Sequence, residues 1–290
     1  MPEGHVVHRQ AKEITRLFSR QQVAVDSPQG RFSDSAKQIT GSVLTKAEAR
    51  GKHLFIKFTD SSEIHVHLGL YGKWTFLESP PEPKGLIRLR LITPGACAEL
   101  RGPNACSLLT SAESKEVRKR IGPDPIRRDD PSTTRDKVLS SSAPIGALLM
   151  DQKLFAGVGN IYRAEVLFRH NINPNDQGRS LTNETFNAVW EDLCVLMKAG
   201  VRTGRIDTVY PEHEPRAMKR KARDDRHGGE VYVYRRDGQP CHVCGSEILM
   251  TSMLGRNLFW CPSARSEISS GPRLECVVNG FRDGLLAELS

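Results

Sequence analysis

The sequence predicts an α+β fold built from several units, on three observations. Over residues 2–121, apolar and polar residues alternate in short segments separated by Gly and Pro; from about residue 144 the apolar spacing becomes helical; near residue 241 cysteines recur at knuckle spacing. A period of two marks strands with one buried face, whereas a three-to-four repeat marks helices. The expected order is an N-terminal antiparallel β-sandwich with flanking helices over 2–121, a linker over 122–143, and a helical unit over 144–229. A cysteine-bearing β-hairpin over 230–265 and a tail over 266–290 complete it.

Taken in order, Val7, Ala11, Ile14 and Phe18 recur at helical spacing, so an amphipathic helix should begin almost at the N-terminus. Alternation follows at Leu54, Ile56 and Phe58, then at Ile64, Val66 and Leu68, then at Ile87, Leu89 and Leu91. Separated by turn residues, these segments read as antiparallel strands. Gly122, Pro123, Pro125, Pro131 and the serine run 140–142 suggest a linker. Helices are expected from Ile145 through Met150, from Ile161 through Phe168, and from Thr182, whose hydroxyl suits an N-cap, with Phe186, Val189, Trp190, Leu193 and Met197 on one face and a stop at Gly200. Six Lys or Arg and two Asp between Arg216 and His227, with no aliphatic stripe, read as a mobile basic loop. Val231–Tyr234 and the stretch 241–261 read as short strands.

Composition narrows the function classes. The 290 residues carry 42 Lys+Arg against 34 Asp+Glu, a net charge of +8, which favours a polyanionic partner. No apolar run approaches the ~20 residues of a membrane span, and the first residues lack the pattern of a secretory signal, so a cytoplasmic protein without membrane association is expected. In a reducing compartment the seven cysteines read as thiols or metal ligands.

Three motifs carry chemistry. Cys241-x2-Cys244 followed by Cys261 matches three quarters of a four-thiolate zinc pattern, with Ala264 at the fourth position. His242, Cys276 or water could complete a zinc shell, and a metal-free hairpin is the alternative. Removal of Met1 would leave Pro2 with a secondary amine, which titrates near pH 8 as α-amines do. Such an amine attacking a sugar C1′ forms an iminium ion directly, and Glu3 could protonate the ring oxygen. Gly157-Val158-Gly159-Asn160 leads into a helix whose unpaired N–H groups could hold a phosphate, or it is an ordinary helix-helix turn. Lys52 and Arg256 read alone as surface cations, and Leu70 and Tyr71 as the end of a strand.

Together, Pro2-Glu3-Gly4-His5, Arg50-Gly51-Lys52-His53-Leu54, His67-Leu68-Gly69-Leu70-Tyr71-Gly72, Gly122-Pro123-Asp124-Pro125, Asp151-Gln152-Lys153, Gly157 to Arg163 and the cysteine hairpin resemble the formamidopyrimidine-DNA glycosylase/endonuclease VIII family, most closely its actinobacterial endonuclease VIII type. The resemblance implies a helix-two-turns-helix domain in the middle of the chain and a C-terminal zinc finger. It also implies a bifunctional glycosylase and lyase acting, as a monomer, on double-stranded DNA with oxidised bases or abasic sites in base excision repair. Pro2 would then be the nucleophile that ends in β,δ-elimination, Glu3 the acid/base, and Lys52 a catalytic and phosphate-contacting lysine. Asn160 and Arg256 would grip phosphates, Leu70 and Tyr71 would fill the gap left by the extruded base, and Cys241, Cys244 and Cys261 would hold structural zinc. The stretch Glu99 to Asn104 lacks the phenylalanine of the purine-repair branch, which favours oxidised pyrimidines over 8-oxoguanine. A catalytically silent damaged-DNA-binding protein is the alternative from another class, and an 8-oxoguanine/formamidopyrimidine glycosylase the narrower alternative within the family. The tail over 266–290, with two basic and four acidic residues, departs from the family and does not read as DNA-binding.

Overall fold

A computed structural model describes residues 2–225 and 228–263; Ala264, Cys276 and the tail over 266–290 lie outside the described residues. The first domain is a sandwich of two four-stranded antiparallel sheets. One sheet places β1 (Ala24–Asp26), β6 (Ile87–Thr93), β7 (Ala96–Arg101) and β5 (Lys73–Leu77) side by side, and the other runs β2 (Leu44–Arg50), β3 (His53–Phe58), β4 (Glu63–His67) and β8 (Ala105–Leu109). The alternation has its physical cause here. Leu54, Ile56, Ile64, Val66, Leu89 and Leu91 all point into one shared core. Helix α1 (Gly4–Phe18) closes that core with Val7, Ala11, Ile14 and Phe18, while α2 (Ser33–Ile39) and α3 (Ser111–Lys119) flank the sheets, α3 starting on a Thr110/Glu113 capping box.

The segment 122–143, expected to be a linker, is instead folded into the helical unit. Asp124 is fully buried, Pro125–Arg127 form a 3-10 turn, and α4 spans Ser132–Leu139 with Val138 in the helical core. Its prolines start helical turns, at the first position of the 3-10 turn and just before α4, where a missing N–H costs nothing. Next come α5 (Ile145–Leu148), α6 (Asn160–Arg169) and α7 (Asn183–Thr203). Thr182 caps α7 through the Thr185 N–H, as its residue type suggests. The helix does not stop at Gly200. It ends at Gly204, in the left-handed conformation, because Gly200 is a packing glycine: a Cβ there would run into the Tyr162 hydroxyl and the His5 ring. At this point α1 of the first domain meets α7 of the second.

The C-terminal unit is a hairpin, β9 (Leu249–Met253) paired with β10 (Arg256–Trp260). Phe259, Ile248, Cys241 and Cys261 share a core with α6 and α7, so the hairpin is not an independent body. Val231–Tyr234, expected as a strand, is a turn. The Tyr232, Val233 and Tyr234 N–H groups all donate to the buried Glu165 carboxylate of α6, at 2.7, 2.9 and 2.9 Å, which leaves these amides no partner strand to pair with. In the basic stretch, Arg220 pairs with Glu230 at 2.7 Å and Arg223 with Asp225 at 3.2 Å. No helix among the described residues is long and apolar enough to cross a membrane.

Candidate active site

Three backbones come together where the two domains meet. The Gly4 N–H donates to the Gly157 carbonyl at 2.8 Å, and a Cβ on Gly51 would lie 2.7 Å from the Gly157 nitrogen, in addition to straining a φ of +55°. Only glycines allow α1, the β2–β3 turn and the loop before α6 to approach this closely. Asp124 fastens the junction: its carboxylate accepts the Gly51 and Ile126 N–H groups at 2.7 and 2.8 Å and bonds the His8 ring at 2.7 Å.

This packing sets the places of Pro2, Glu3 and Lys52. Glu3 occupies the N-cap position of α1 but makes no side-chain bond there. Its carboxylate crosses to the second domain and accepts the Gly159 and Ile161 N–H groups at 3.1 and 2.8 Å, with Tyr162 at 3.5 Å. It thus caps α6, whose first amides lack intrahelical partners and whose dipole favours negative charge. Burial pushes the Glu3 carboxyl above its ordinary range, against the lowering pull of Lys52 and of those N–H donors. Burial likewise holds the Lys52 ammonium down to about 8, opposed by Glu3 and assisted by Arg256. The Lys52 ammonium donates to the Val158 carbonyl at 2.7 Å, the same oxygen that accepts from Gln152 at 2.9 Å.

Pro2 and Lys52 open onto a cavity of about 530 Å³. Leu70 and His67 from the first domain, Met150 and Gln152 from the second, and Leu254 and Arg256 from the hairpin also line it. Four of the residues singled out in the sequence, Pro2, Lys52, Leu70 and Arg256, therefore meet in one space, with Glu3 buried behind them. Tyr71 lies outside this lining and is 87% exposed. Asn160 is the first residue of α6 and is not in the lining either; its amide donates to the Asn257 carbonyl of β10 at 2.7 Å and accepts from Arg163.

Several participants were not read from the sequence. Arg163 is fully buried, donates to Asn160 and to the Asn257 carbonyl at 3.1 Å, and so ties α6 to the hairpin. Burial lowers it to about 10, with Arg256 adding to the effect and Glu3 opposing it. Its position three residues after Asn160, on the same helical face, was the available signal. Asp124 had none beyond its neighbouring prolines.

The three cysteines lie apart from this cavity. The Cys241, Cys244 and Cys261 sulfurs are all within 4.8 Å of one another, and no fourth ligand joins them among the described residues. His242 turns instead toward Arg236, at 3.4 Å. A soft, three-sulfur donor set on two tight turns fits a tetrahedral zinc ion.

Comparison with known proteins agrees with this layout. Residues 1–103 match the formamidopyrimidine-DNA glycosylase N-terminal domain, 121–210 the H2TH domain of the same glycosylase, and 238–263 the zinc finger found in FPG and IleRS. The chain is 46% identical over 271 residues to "Endonuclease 8 1" of Mycobacterium tuberculosis, covering 90% of this chain and 98% of that protein. It is 26% identical over 280 residues to "Endonuclease 8" of Escherichia coli, covering 91% and 100%. In fold it is similar to the Lactococcus lactis Fpg solved in complex with an N7-benzyl-Fapy-dG containing DNA, with a TM-score of 0.75, 21% identity, and coverage of 92% and 100%.

Proposed function

The chain belongs to the formamidopyrimidine-DNA glycosylase/endonuclease VIII family, and from that premise we propose that it removes oxidised pyrimidines from duplex DNA through a covalent bond between Pro2 and deoxyribose. As a member of this family it is a DNA glycosylase and AP lyase of base excision repair. What supports the specific reading is one juxtaposition: Pro2 and Lys52 line the same cavity while Glu3 is buried beside Lys52.

A base inside the stack cannot be reached at C1′, so the nucleotide is extruded first, at a cost of a few kcal/mol. The neutral Pro2 nitrogen then attacks C1′. The bond to the base breaks with its electron pair, the leaving base takes up the proton that the Pro2 nitrogen sheds, and the nitrogen lone pair then opens the sugar ring as its oxygen takes a proton from Glu3. The product is an iminium ion on Pro2. Burial favours the protonated form of Glu3, which suits it to this donation. Glu3, now a carboxylate, takes the C2′ proton as the 3′-phosphate is expelled, a second elimination expels the 5′-phosphate, and water hydrolyses the iminium to free Pro2 and release the sugar remnant as an unsaturated aldehyde, leaving a one-nucleotide gap. Lys52 and Arg256 hold phosphates beside the extruded nucleotide, where their charge opposes the strand's repulsion. Asn160 acts there through its bond to β10. Leu70 and the exposed Tyr71 fill the vacated stack. The absence of a phenylalanine in Glu99 to Asn104 underlies the preference for pyrimidines.

Borohydride with a duplex carrying an oxidised pyrimidine tests this. A covalent adduct is expected whose peptide map places DNA on Pro2, and none with Pro2 acylated. An adduct on another residue, or none on any oxidised pyrimidine or abasic site, would refute the mechanism. Cys241, Cys244 and Cys261 hold one structural zinc, whose part is to cross-link the hairpin. Elemental analysis should return close to one zinc per chain and close to none in Cys241→Ser; equal metal in both would refute the assignment.

A further inference from the structure

The two residues joining β9 to β10, Leu254 and Gly255, both have positive φ, 52° and 67°. A two-residue hairpin turn of this kind ordinarily begins with Asn, Asp or Gly, because in the left-handed region a Cβ crowds the following carbonyl oxygen, which Gly avoids and which Asn and Asp offset by local hydrogen bonds. Leucine is therefore an unfavourable choice on backbone grounds. It is unfavourable on solvation grounds too, since the side chain is 69% exposed at the hairpin tip. Among the described residues, Leu254 belongs to neither hydrophobic core. Leu254 nevertheless lines the cavity onto which Pro2 opens, on the opposite domain from Leu70 and two residues before Arg256.

We propose that Leu254 is a DNA-contacting wedge: its aliphatic side chain presses on the extruded nucleotide or its neighbouring base step and holds the lesion in the cavity, working from the hairpin as Leu70 works from the sandwich. The apolar chemistry identifies what it touches, because phosphates are served by the cations nearby, whereas a base face or deoxyribose edge is what an aliphatic side chain can bury in DNA. Strain retained at a mostly exposed position outside both cores is explained when its benefit lies in the complex. This assignment rests on the excision reaction proposed above.

The two demands on residue 254 pull in opposite directions, which makes the test discriminating. Leu254→Asn and Leu254→Gly suit the left-handed turn and should melt no lower than the parent, while losing the wedge. Leu254→Met keeps an apolar side chain. With a duplex bearing an oxidised pyrimidine, single-turnover excision should fall about tenfold or more in the Asn and Gly variants and stay within about threefold in the Met variant. 2-Aminopurine fluorescence beside the lesion should report correspondingly less unstacking. On a preformed abasic site, where no base must be extruded, the fall in borohydride trapping should be clearly smaller than the fall in excision. Excision at the parental rate in the Asn and Gly variants would overturn the proposal, as would equal losses on both duplexes. If the parent enzyme forms no adduct even with the abasic duplex, the Pro2 reading itself fails and takes this assignment with it.

Discussion

Replacing Glu165 with Gln should cost stability out of proportion to the single atom changed. The Glu165 carboxylate is fully buried in α6 and accepts four hydrogen bonds. One oxygen receives the Val233 and Tyr234 N–H groups, both at 2.9 Å; the other receives the Tyr232 N–H at 2.7 Å and the Thr208 hydroxyl at 2.6 Å. Glutamine has the same shape but only one acceptor oxygen, so the amide NH2 would be set against N–H donors that have nowhere else to turn. Hydrogen bonds to a buried ionised group are worth about 1.5–3 kcal/mol, and a stranded donor costs about 1–3 kcal/mol. Losing two of the four bonds should thus cost roughly 2–6 kcal/mol. At about 2 °C per kcal/mol for a chain longer than 250 residues, the melting temperature should fall by roughly 4–12 °C. Glu165→Ala, which strands the three N–H donors while Thr208 keeps the Glu230 carbonyl, should be worse. Calorimetry, with guanidinium unfolding at matched pH, reads both. A fall of less than about 2 °C for the Gln variant, or an Ala variant no worse than Gln, would refute the view that this carboxylate replaces a partner strand for residues 232–234.

Other expectations follow from the same interfaces. Gly200→Ala should lower stability by about 1–3 kcal/mol, because the new methyl meets the Tyr162 hydroxyl and His5; thermal melting checks it. Lys52 is charged in both states below pH 8, and above that the folded state releases its proton first, so stability should rise from about pH 8 to 10.5 by up to about 3 kcal/mol. That rise should be missing in Lys52→Met, and parallel curves for the two proteins would count against it. Arg256→Ala should flatten the log K versus log[salt] slope for duplex binding by about one, as for a phosphate contact. Arg163→Lys should weaken binding about five- to tenfold at an unchanged slope, since the buried Arg163 acts through Asn160 and Asn257; a changed slope would place Arg163 on the DNA itself.

Those elements whose cause is local were readable from residue types. Alternation in β3, β4 and β6 reflects one buried face, and the Thr182 cap reflects a hydroxyl two turns of chain can see. Readings failed where a distant partner decides. Val231–Tyr234 has the composition of a strand, yet Glu165, more than sixty residues earlier, takes its amides. Gly200 resembles a stop signal, yet it marks contact with His5 near the other end of the chain. The prolines of 122–143 suggested a linker, whereas they start turns around Asp124. For the site, Pro2, Glu3 and Lys52 were visible as chemically apt residues in motifs, but their convergence depends on backbone contact among Gly4, Gly51 and Gly157, which no local pattern encodes. Arg163 and Leu254 escaped for the same reason.

The manner in which Glu3 is anchored has a mechanical corollary. Pro2 and Glu3 are joined by a single peptide bond, yet the amine precedes α1 of the sandwich domain while the carboxylate is fastened to the first turn of α6. Rotation of one body against the other would turn that peptide like an axle. On the mechanism proposed above, the angle between nucleophile and proton donor is therefore a gauge of how the two halves are seated, and a duplex that fails to seat them would meet the right groups in the wrong alignment.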